Sequence, residues 1–300
     1  MKIMNFGSLN LDYVYSVKDI VKPGETVVCE RRAVFCGGKG LNQSVASAKA
    51  GARVFHAGLI GEDGIVLAQT LEENGVDASF VRIAGQPTGH AVIQVDQRGQ
   101  NSIVVYGGEN RAADEGFIAA AAGAIGAGDM VLTQNETALN GLALRLAKQR
   151  GAITAFNPSP IDGNLLDFPF EIVDYLILNE TEGEALTDKT IPDEICDVLL
   201  QKFPASSVIL TLGKEGAIFA NGSERIFQAA FDVDAIDTTA AGDTFAGYFL
   251  GCLAQNLAAA ECLKRASAAA ALAVSRMGAA NSIPSAGEVD DFLIKYPQSS

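Results

Sequence analysis

The residues best suited to chemistry stand at the entrance of a helix. Asp237-Thr238-Thr239-Ala240-Ala241-Gly242-Asp243-Thr244-Phe245 is a run of small side chains ending in Gly-Asp where a helical pattern begins. Such an entrance leaves backbone N–H groups without intrahelical partners, with the positive end of the helix dipole behind them, which makes an anion site. Asp243, in the first turn, is placed to take a proton from a hydroxyl beside a phosphate pocket, the work of a general base. A plainer reading has Asp243 serving only the helix N-terminus and Asp237 starting a turn.

A second glycine-rich entrance is Cys36-Gly37-Gly38-Lys39-Gly40-Leu41-Asn42-Gln43. Its glycines allow close backbone approach to a ligand, and Lys39 and Asn42 offer donors to hydroxyl oxygens. It is neither a Walker loop nor G-x-G-x-x-G, and a glycine-rich strand-to-helix turn is the ordinary alternative. Asn10 and Asp12 follow the first strand, where α/β sheets place ligand groups; amide and carboxylate together suit vicinal hydroxyls, or else a polar turn. Asn179 and Glu182 follow another strand three residues apart, positioned either to organise Mg²⁺ and phosphates through water or to form a cap. Thr211-Leu212-Gly213-Lys214-Glu215-Gly216 closes a strand with a glycine turn that fits a nucleotide edge or a hairpin.

The elements that position these residues alternate. Short apolar runs at 3–9, 54–60, 130–134, 153–157, 175–179 and 208–212 read as parallel strands buried on both faces. Amphipathic stretches at 41–50, 64–74, 138–150 and 193–202 read as helices between them, and two closing helices are expected at 241–255 and 257–275. Two regions break the rhythm. Residues 12–35 alternate around Pro23-Gly24, and residues 79–105 alternate around Gly99, so both are expected to form antiparallel strands of a small lid.

Composition narrows the partners. The 300 residues carry 22 Lys+Arg against 36 Asp+Glu, a net charge of −14, which repels nucleic acid and anionic membranes. An anionic ligand must then be met by local lysines, backbone N–H groups or a metal. Five cysteines at no metal-ligand spacing read as reduced thiols, and His56 and His90 form no useful pair, which disfavours zinc and Ser-His-Asp hydrolase chemistry. No leader is legible at Met1-Lys2-Ile3-Met4-Asn5, and 244–260 is too polar and short to span a bilayer, so a soluble cytoplasmic protein is expected.

In their order along the chain, the glycine loop, Asn-x-x-Glu, the Thr-Leu-Gly turn and the Gly-Asp helix mouth resemble the ribokinase (phosphofructokinase B) family of sugar kinases. Gly7-Ser8-Leu9-Asn10-Leu11-Asp12, Pro23-Gly24-Glu25-Thr26, Asn157-Pro158-Ser159-Pro160 and Ser275-Arg276-Met277-Gly278-Ala279 extend the likeness from about residue 3 to residue 293. The resemblance implies one three-layer α/β/α domain over 1–300, with a mainly parallel sheet and a small antiparallel β lid. It also implies transfer of the ATP γ-phosphate to a sugar, D-ribose at its 5-hydroxyl being favoured by Gly-Lys-Gly-x-Asn, Asn-Pro-x-Pro and Asn-x-Asp. Fructose, 2-deoxyribose, a ketodeoxy sugar acid or a nucleoside is the alternative acceptor, and a non-catalytic sugar-binding paralogue the alternative class.

Carried over residue by residue, the resemblance makes Asp243 the base and Ala240, Ala241 and Gly242 the anion hole. Asn10, Asp12, Gly38, Lys39, Asn42 and Glu136 match the sugar-contacting set. Asn179, Thr211, Leu212, Gly213, Lys214, Glu215 and Gly216 match the nucleotide site, and Glu182 the magnesium-and-phosphate position. Asp237, Thr239, Ala273, Arg276, Gly278 and Ser282 match a potassium site built largely from main-chain oxygens. The lid implies a homodimer. Two departures stand out: Ala240 sits where many relatives have glycine, and Glu109 replaces a small residue near the phosphate approach, where it is expected to face solvent.

Overall fold

In the computed structural model, which describes residues 1–165 and 168–296, short runs rich in apolar residues form the strands. These are β1 (Lys2–Phe6), β2 (Asn10–Ser16), β3 (Arg31–Gly37), β4 (Arg53–Ile60), β5 (Asp77–Ile83), β6 (Gly89–Val95) and β7 (Asn101–Tyr106). They continue with β8 (Met130–Gln134), β9 (Ile153–Asn157), β10 (Tyr175–Asn179), β11 (Ser207–Thr211), β12 (Gly216–Ala220) and β13 (Arg225–Ala229). The helices are α1 (Lys39–Lys49), α2 (Ile65–Glu73), α3 (Glu115–Ala122), α4 (Asn140–Gln149) and α5 (Glu180–Thr187). After them come α6 (Pro192–Lys202), α7 (Ala241–Leu253), α8 (Ala259–Val274) and α9 (Ala286–Lys295).

Among the described residues the strands make two sheets: a large one in the order β13-β12-β11-β10-β9-β8-β1-β4-β5, and a small one in the order β3-β2-β6-β7. The large sheet is parallel from β5 to β11 and ends in the antiparallel pair β12 and β13. Alternation sorts its side chains. Ile3, Val54, Met130 and Leu132 pack with α1, α2, α7 and α8 on one face, whereas Met4, Phe6, Phe55 and Val131 pack with α3, α4 and α6 on the other. Three layers follow from this sorting. No helix among the described residues is long and apolar enough to cross a membrane.

The lid expectation needs correction in two places. Residues 77–83 do not belong to the small sheet: β5 pairs in parallel with β4 at the edge of the large one. Ala78 and Val81 pack on one core and Phe80 on the other, and a partly covered edge strand alternates as a lid strand does. Within the small sheet, β2–β3 and β6–β7 are antiparallel, but the joint between β2 and β6 is parallel.

Two close approaches set the geometry at the sheet's carboxyl edge. A Cβ on Gly40 would lie 2.2 Å from the Ser8 nitrogen, so the chain leaving β1 and the start of α1 touch backbone to backbone. Farther along, α1 crosses α7 at Gly247 and Gly251. A Cβ on Gly247 would meet Ala46 Cβ at 2.4 Å and the Gln43 carbonyl oxygen at 2.6 Å, and Ser47 Oγ donates to the Gly247 carbonyl at 2.9 Å. Gly247→Ala is therefore expected to cost about 1–3 kcal/mol of stability by overpacking. Denaturant unfolding checks this; an unchanged midpoint would show that the crossing has slack.

Candidate active site

The crossing carries the two helix entrances together. Asp243 lies one turn before Gly247, and Asn42 and Gln43 lie one turn before Ala46 and Ser47. Asp243 is only 8% exposed, and both its oxygens are held: Asn42 Nδ2 donates to Oδ2 at 3.0 Å and Gln43 Nε2 donates to Oδ1 at 2.9 Å. Each carboxylate oxygen keeps a further lone pair, so the group remains able to accept a proton. Asn42 Oδ1 is a buried acceptor without a hydrogen bond among the described residues.

The two entrances differ in what their amides do. At α1 they are occupied: Lys39 N donates to Glu136 Oε2 at 3.0 Å, Gly40 N to Ser8 Oγ at 3.0 Å, and Leu41 N to the Ser8 carbonyl at 3.0 Å. Ser8 Oγ in turn donates to Glu136 Oε2. Glu136 is thus an internal anion at this helix N-terminus, with Oε1 left free of hydrogen bonds from the described residues. At α7, Ala241 N donates to the Thr238 carbonyl at 3.3 Å, while the amides of Ala240, Gly242 and Asp243 make no hydrogen bond with the described residues. Ala240 caps this helix in the left-handed region, φ 59°, where glycine is at ease and an L side chain costs roughly 1–2 kcal/mol.

Two cavities meet at the α7 entrance, sharing Thr211, Thr238, Ala241 and Gly242. The larger, ≈ 530 Å³, runs between the β11–β12 turn and α8, with Phe231, Val233, Phe245 and Ala270 among its apolar walls. The smaller, ≈ 260 Å³, is lined by Lys39, Asn157, Asn179, Glu182, Gly242 and Asp243 among others. Lys39 is held strongly protonated by the nearby carboxylates, Asp243 foremost, then Glu136 and Glu182, against the opposing effect of burial.

The comparisons with known proteins agree with this geometry. Residues 1–286 match the pfkB family of carbohydrate kinases. The chain belongs to that family. It is similar to the ribokinase of Haemophilus influenzae, 37% identical over 96% of each chain. Among solved structures it resembles the ribokinase of Thermotoga maritima, with TM-score 0.88, 34% identity, and 98% of this chain and 99% of that one covered. It also resembles the Arabidopsis thaliana ribokinase complexed with ribose and ATP, with TM-score 0.86, 29% identity, and 97% and 98% covered.

Of the residues singled out in the kinase's sequence, Lys39, Asn179, Glu182, Thr211, Gly213, Lys214, Gly216, Ala240, Ala241, Gly242 and Asp243 line these cavities. Asn10, Asp12, Gly38, Asn42 and Glu136 do not, nor do Asp237, Thr239, Ala273, Arg276, Gly278 and Ser282. Asn10 and Asp12 lie on β2 rather than in a turn, each paired across to β3 and β6. Asn179 and Glu182 form a reciprocal cap at α5: Glu182 N donates to Asn179 Oδ1 at 2.9 Å, and Asn179 N donates to Glu182 Oε2 at 3.0 Å. Capping and cleft lining therefore coexist, with Glu182 Oε1 uncommitted. Thr211, Gly213, Lys214 and Gly216 line the larger cavity, but Leu212 is buried in the core and the Glu215 carbonyl accepts from Ala230 N at 3.3 Å, so neither reaches it. Segments 236–239 and 274–278 are clasped: Asp237 Oδ2 accepts from Gly278 N at 3.0 Å, and Oδ1 accepts from Thr239 N at 2.9 Å and from Thr239 Oγ1 at 2.6 Å. Burial raises the Asp237 carboxyl's pKa, but these hydrogen bonds outweigh it and bring it below the usual carboxylate value.

Glu109 does not face solvent. It is 1% exposed, and its carboxylate accepts the Gln86 N–H, anchoring the approach to β6. Its neighbour Asn110 donates to Asn10 Oδ1 at 2.7 Å and accepts from Leu9 N at 2.9 Å, so the two residues together brace the approach to β6 and the start of β2. Motif reading quotes Gln43 and Asn157 without giving either a role, and passes over Gln134; polar residues inside helix and strand patterns that otherwise read as apolar were the available signal.

Asp12 yields a prediction. Burial, together with Glu136 and Asp243 nearby, raises its pKa to about 7 from 3.8. Between those values the folded chain binds a proton that the unfolded chain does not, so this contribution to stability is full at low pH and is lost as pH rises to about 7 and beyond. Asp12→Asn removes the penalty. Its Tm is expected to exceed the parent's by roughly 2 °C or more at pH 8 and to converge toward it near pH 4–5; a difference independent of pH would refute the assignment.

Proposed function

We propose that this carbohydrate kinase transfers the γ-phosphate of ATP to the 5-hydroxyl of D-ribose. The observation that carries the reading is Asp243 itself, held by Asn42 and Gln43 beside the unbonded amides of the α7 entrance. Asp243 takes the hydroxyl proton as oxygen attacks in line, and the amides of Ala240, Gly242 and Asp243, with the Lys39 ammonium, stabilise charge on the transferred phosphoryl group. Transfer of this kind needs little covalent chemistry from protein, so alignment and charge neutralisation supply most of the rate.

Charge argues for a neutral acceptor. Asp12, Glu136 and Asp243 lie within one another's electrostatic reach, with Lys39 as their cationic neighbour. A ketodeoxy acid would bring another carboxylate to this cluster, whereas a polyol brings donors that carboxylates and the Asn42 carbonyl accept. The two relatives and the ribose-and-ATP complex named above support ribose within that class. In the larger cavity, Phe231, Val233 and Phe245 suit an adenine face, while Lys214 and the α7 entrance suit its phosphates.

Among the described residues no group of three or more His, Cys, Asp or Glu is arranged to hold a metal ion. Mg²⁺ would therefore be held mainly by the nucleotide phosphates, with Asn179 and Glu182 reaching it through water, and it would neutralise phosphate charge. Main-chain oxygens of Asp237, Thr239, Ala273, Arg276 and Gly278, with Ser282, suit a hard monovalent cation such as K⁺. The Asp237 clasp supports this by holding the two contributing segments face to face beside Ala240.

The reading treats 1–300 as one domain, of which 166–167 and 297–300 lie outside the described residues, and the small sheet as its lid. A cytoplasmic setting belongs to it as well, supported by five cysteines that are all free thiols. A homodimer through the lid is supported by Ile103, Val104, Val105 and Tyr106, all exposed on an edge strand, Val104 at 68%. Sedimentation should give twice 31.3 kDa, and Val104→Lys should halve it; a wild-type monomer would end this part of the reading.

A coupled ATPase assay with Mg²⁺, run over sugars and nucleosides in K⁺ and in Na⁺ buffers, tests the rest. D-ribose is expected to give the highest kcat/KM, K⁺ to raise turnover, and Asp243→Asn to lower kcat by about 10²–10⁴-fold. Undiminished Asp243→Asn turnover would remove the base, equal rates in both buffers the monovalent site, and a better acceptor the ribose assignment.

A further inference from the structure

Gln43 is 1% exposed and lines neither cavity, yet its amide is bonded at both ends. Nε2 donates to Asp243 Oδ1 at 2.9 Å and to Asn157 Oδ1 at 3.2 Å, and Oε1 accepts from Gln134 Nε2 at 2.9 Å. The chain continues inward. Gln134 Nε2 also donates to Asn5 Oδ1 at 3.0 Å, and Asn5 Nδ2 donates to Ser44 Oγ at 2.8 Å. Ser44 Oγ meets His56 Nδ1 at 2.8 Å, and His56 Nε2 meets the Gly7 carbonyl at 3.1 Å. A carbonyl oxygen only accepts, so Nε2 carries the ring proton and Nδ1 accepts from Ser44; each hydrogen in the run then has one direction.

A buried carboxamide can sit in two orientations related by a half-turn, and one of them would aim Oε1 of Gln43 at the Asp243 carboxylate. The Gln134 N–H on Oε1 makes that orientation unfavourable. We propose that Gln43 is a positioning residue for phosphoryl transfer, holding one oxygen of Asp243 while Asn42 holds the other, and that Gln134 keeps the Gln43 amide in its donating orientation. The proposal rests on Asp243 as the base. Burial lowers the His56 pKa to about 4, so the far end of the run stays neutral at working pH, and what reaches Asp243 is orientation rather than charge.

The test uses Gln43→Met, Gln134→Leu and the double variant, each measured for kcat, for KM of sugar and of ATP, and for Tm, on whichever acceptor the wild type turns over best. Misplacing a reacting group by about 1 Å can cost about 10²-fold. Gln43→Met should lower kcat by about 10–100-fold with both KM values within about twofold, and Gln134→Leu should lower it less. The double variant should match Gln43→Met alone, since Gln134 acts through Gln43. A kcat within twofold of wild type for folded Gln43→Met overturns the proposal, as do KM rises that account for the loss or losses that multiply in the double variant. Should Gln43→Met not fold, an unchanged kcat in Gln134→Leu overturns the orienting role by itself. Wild-type failure on D-ribose would strike only the acceptor assignment, because the variants are compared on the sugar actually used.

Discussion

Two helices approach closely only where their side chains are small, and the site depends on one such contact. Gly247 and Gly251 of α7 lie against Ala46 and Ser47 of α1 and Ala50 just past its end, with space for no added methyl group. One turn toward the N-terminus of each helix, the closeness becomes chemistry: Asp243 of α7 falls within hydrogen-bond range of Asn42 and Gln43 of α1. Larger residues at the crossing would part the helices, and a carboxylate that must meet two amides at about 3 Å tolerates little separation. Packing in this fold is therefore also the means of aligning Asp243.

The two helix entrances show how one local motif is put to opposite uses. Both contain glycine and both present the positive end of a helix. At α1 an internal carboxylate, Glu136, and the Ser8 hydroxyl take up the amides, so the loop is closed before any ligand arrives. At α7 no carboxylate or hydroxyl of the described residues plays that part, and of the amides from Ala240 to Asp243 only that of Ala241 is taken, by the Thr238 carbonyl. A protein of net charge −14 can in this way offer an anion site without a basic surface, because the attraction is short-ranged and comes from amides and the Lys39 and Lys214 ammonium groups. The acidic surface and the anion site do not conflict, since screening separates them over roughly 8–10 Å.

Legibility from sequence followed the physics of burial. The runs 130–134, 153–157 and 175–179 coincide with β8, β9 and β10, because a strand covered on both faces needs apolar residues throughout and polar ones at its ends. β5 was misplaced because a partly covered edge strand and a lid strand impose the same alternation. Helix α3 went unread, as Glu115–Ala122 has glutamate at its first position as its one polar side chain, followed by glycine, two large apolar residues and four alanines, and so shows no polar face. The loop entrances were legible because glycine, asparagine and aspartate carry specific backbone and hydrogen-bonding meanings. The amide chain behind Asp243 was not, because Gln43 meets Asp243 across 200 residues and Gln134 across 91, and spacing says nothing about such contacts.

The crowded carboxylates, Asp243 buried and Asp12 and Glu136 half-buried, give the site its remaining logic. A fold selected for stability alone would not place Asp12, Glu136 and Asp243 together, since burial and mutual repulsion raise the Asp12 and Glu136 pKa values and a charged group there costs free energy. An acceptor with several hydroxyl groups changes that balance. On the reading proposed above, each hydroxyl that donated to a carboxylate oxygen would supply the solvation that burial removed, so the repulsion of the unliganded site would add to the driving force for binding. Acceptors that cannot donate at these positions leave the repulsion in place. On that reading, selectivity for a polyhydroxylated neutral molecule would arise from the same crowded carboxylates that weaken the empty protein, with the close-packed α1–α7 core supplying the rigidity that keeps Asp243 in place.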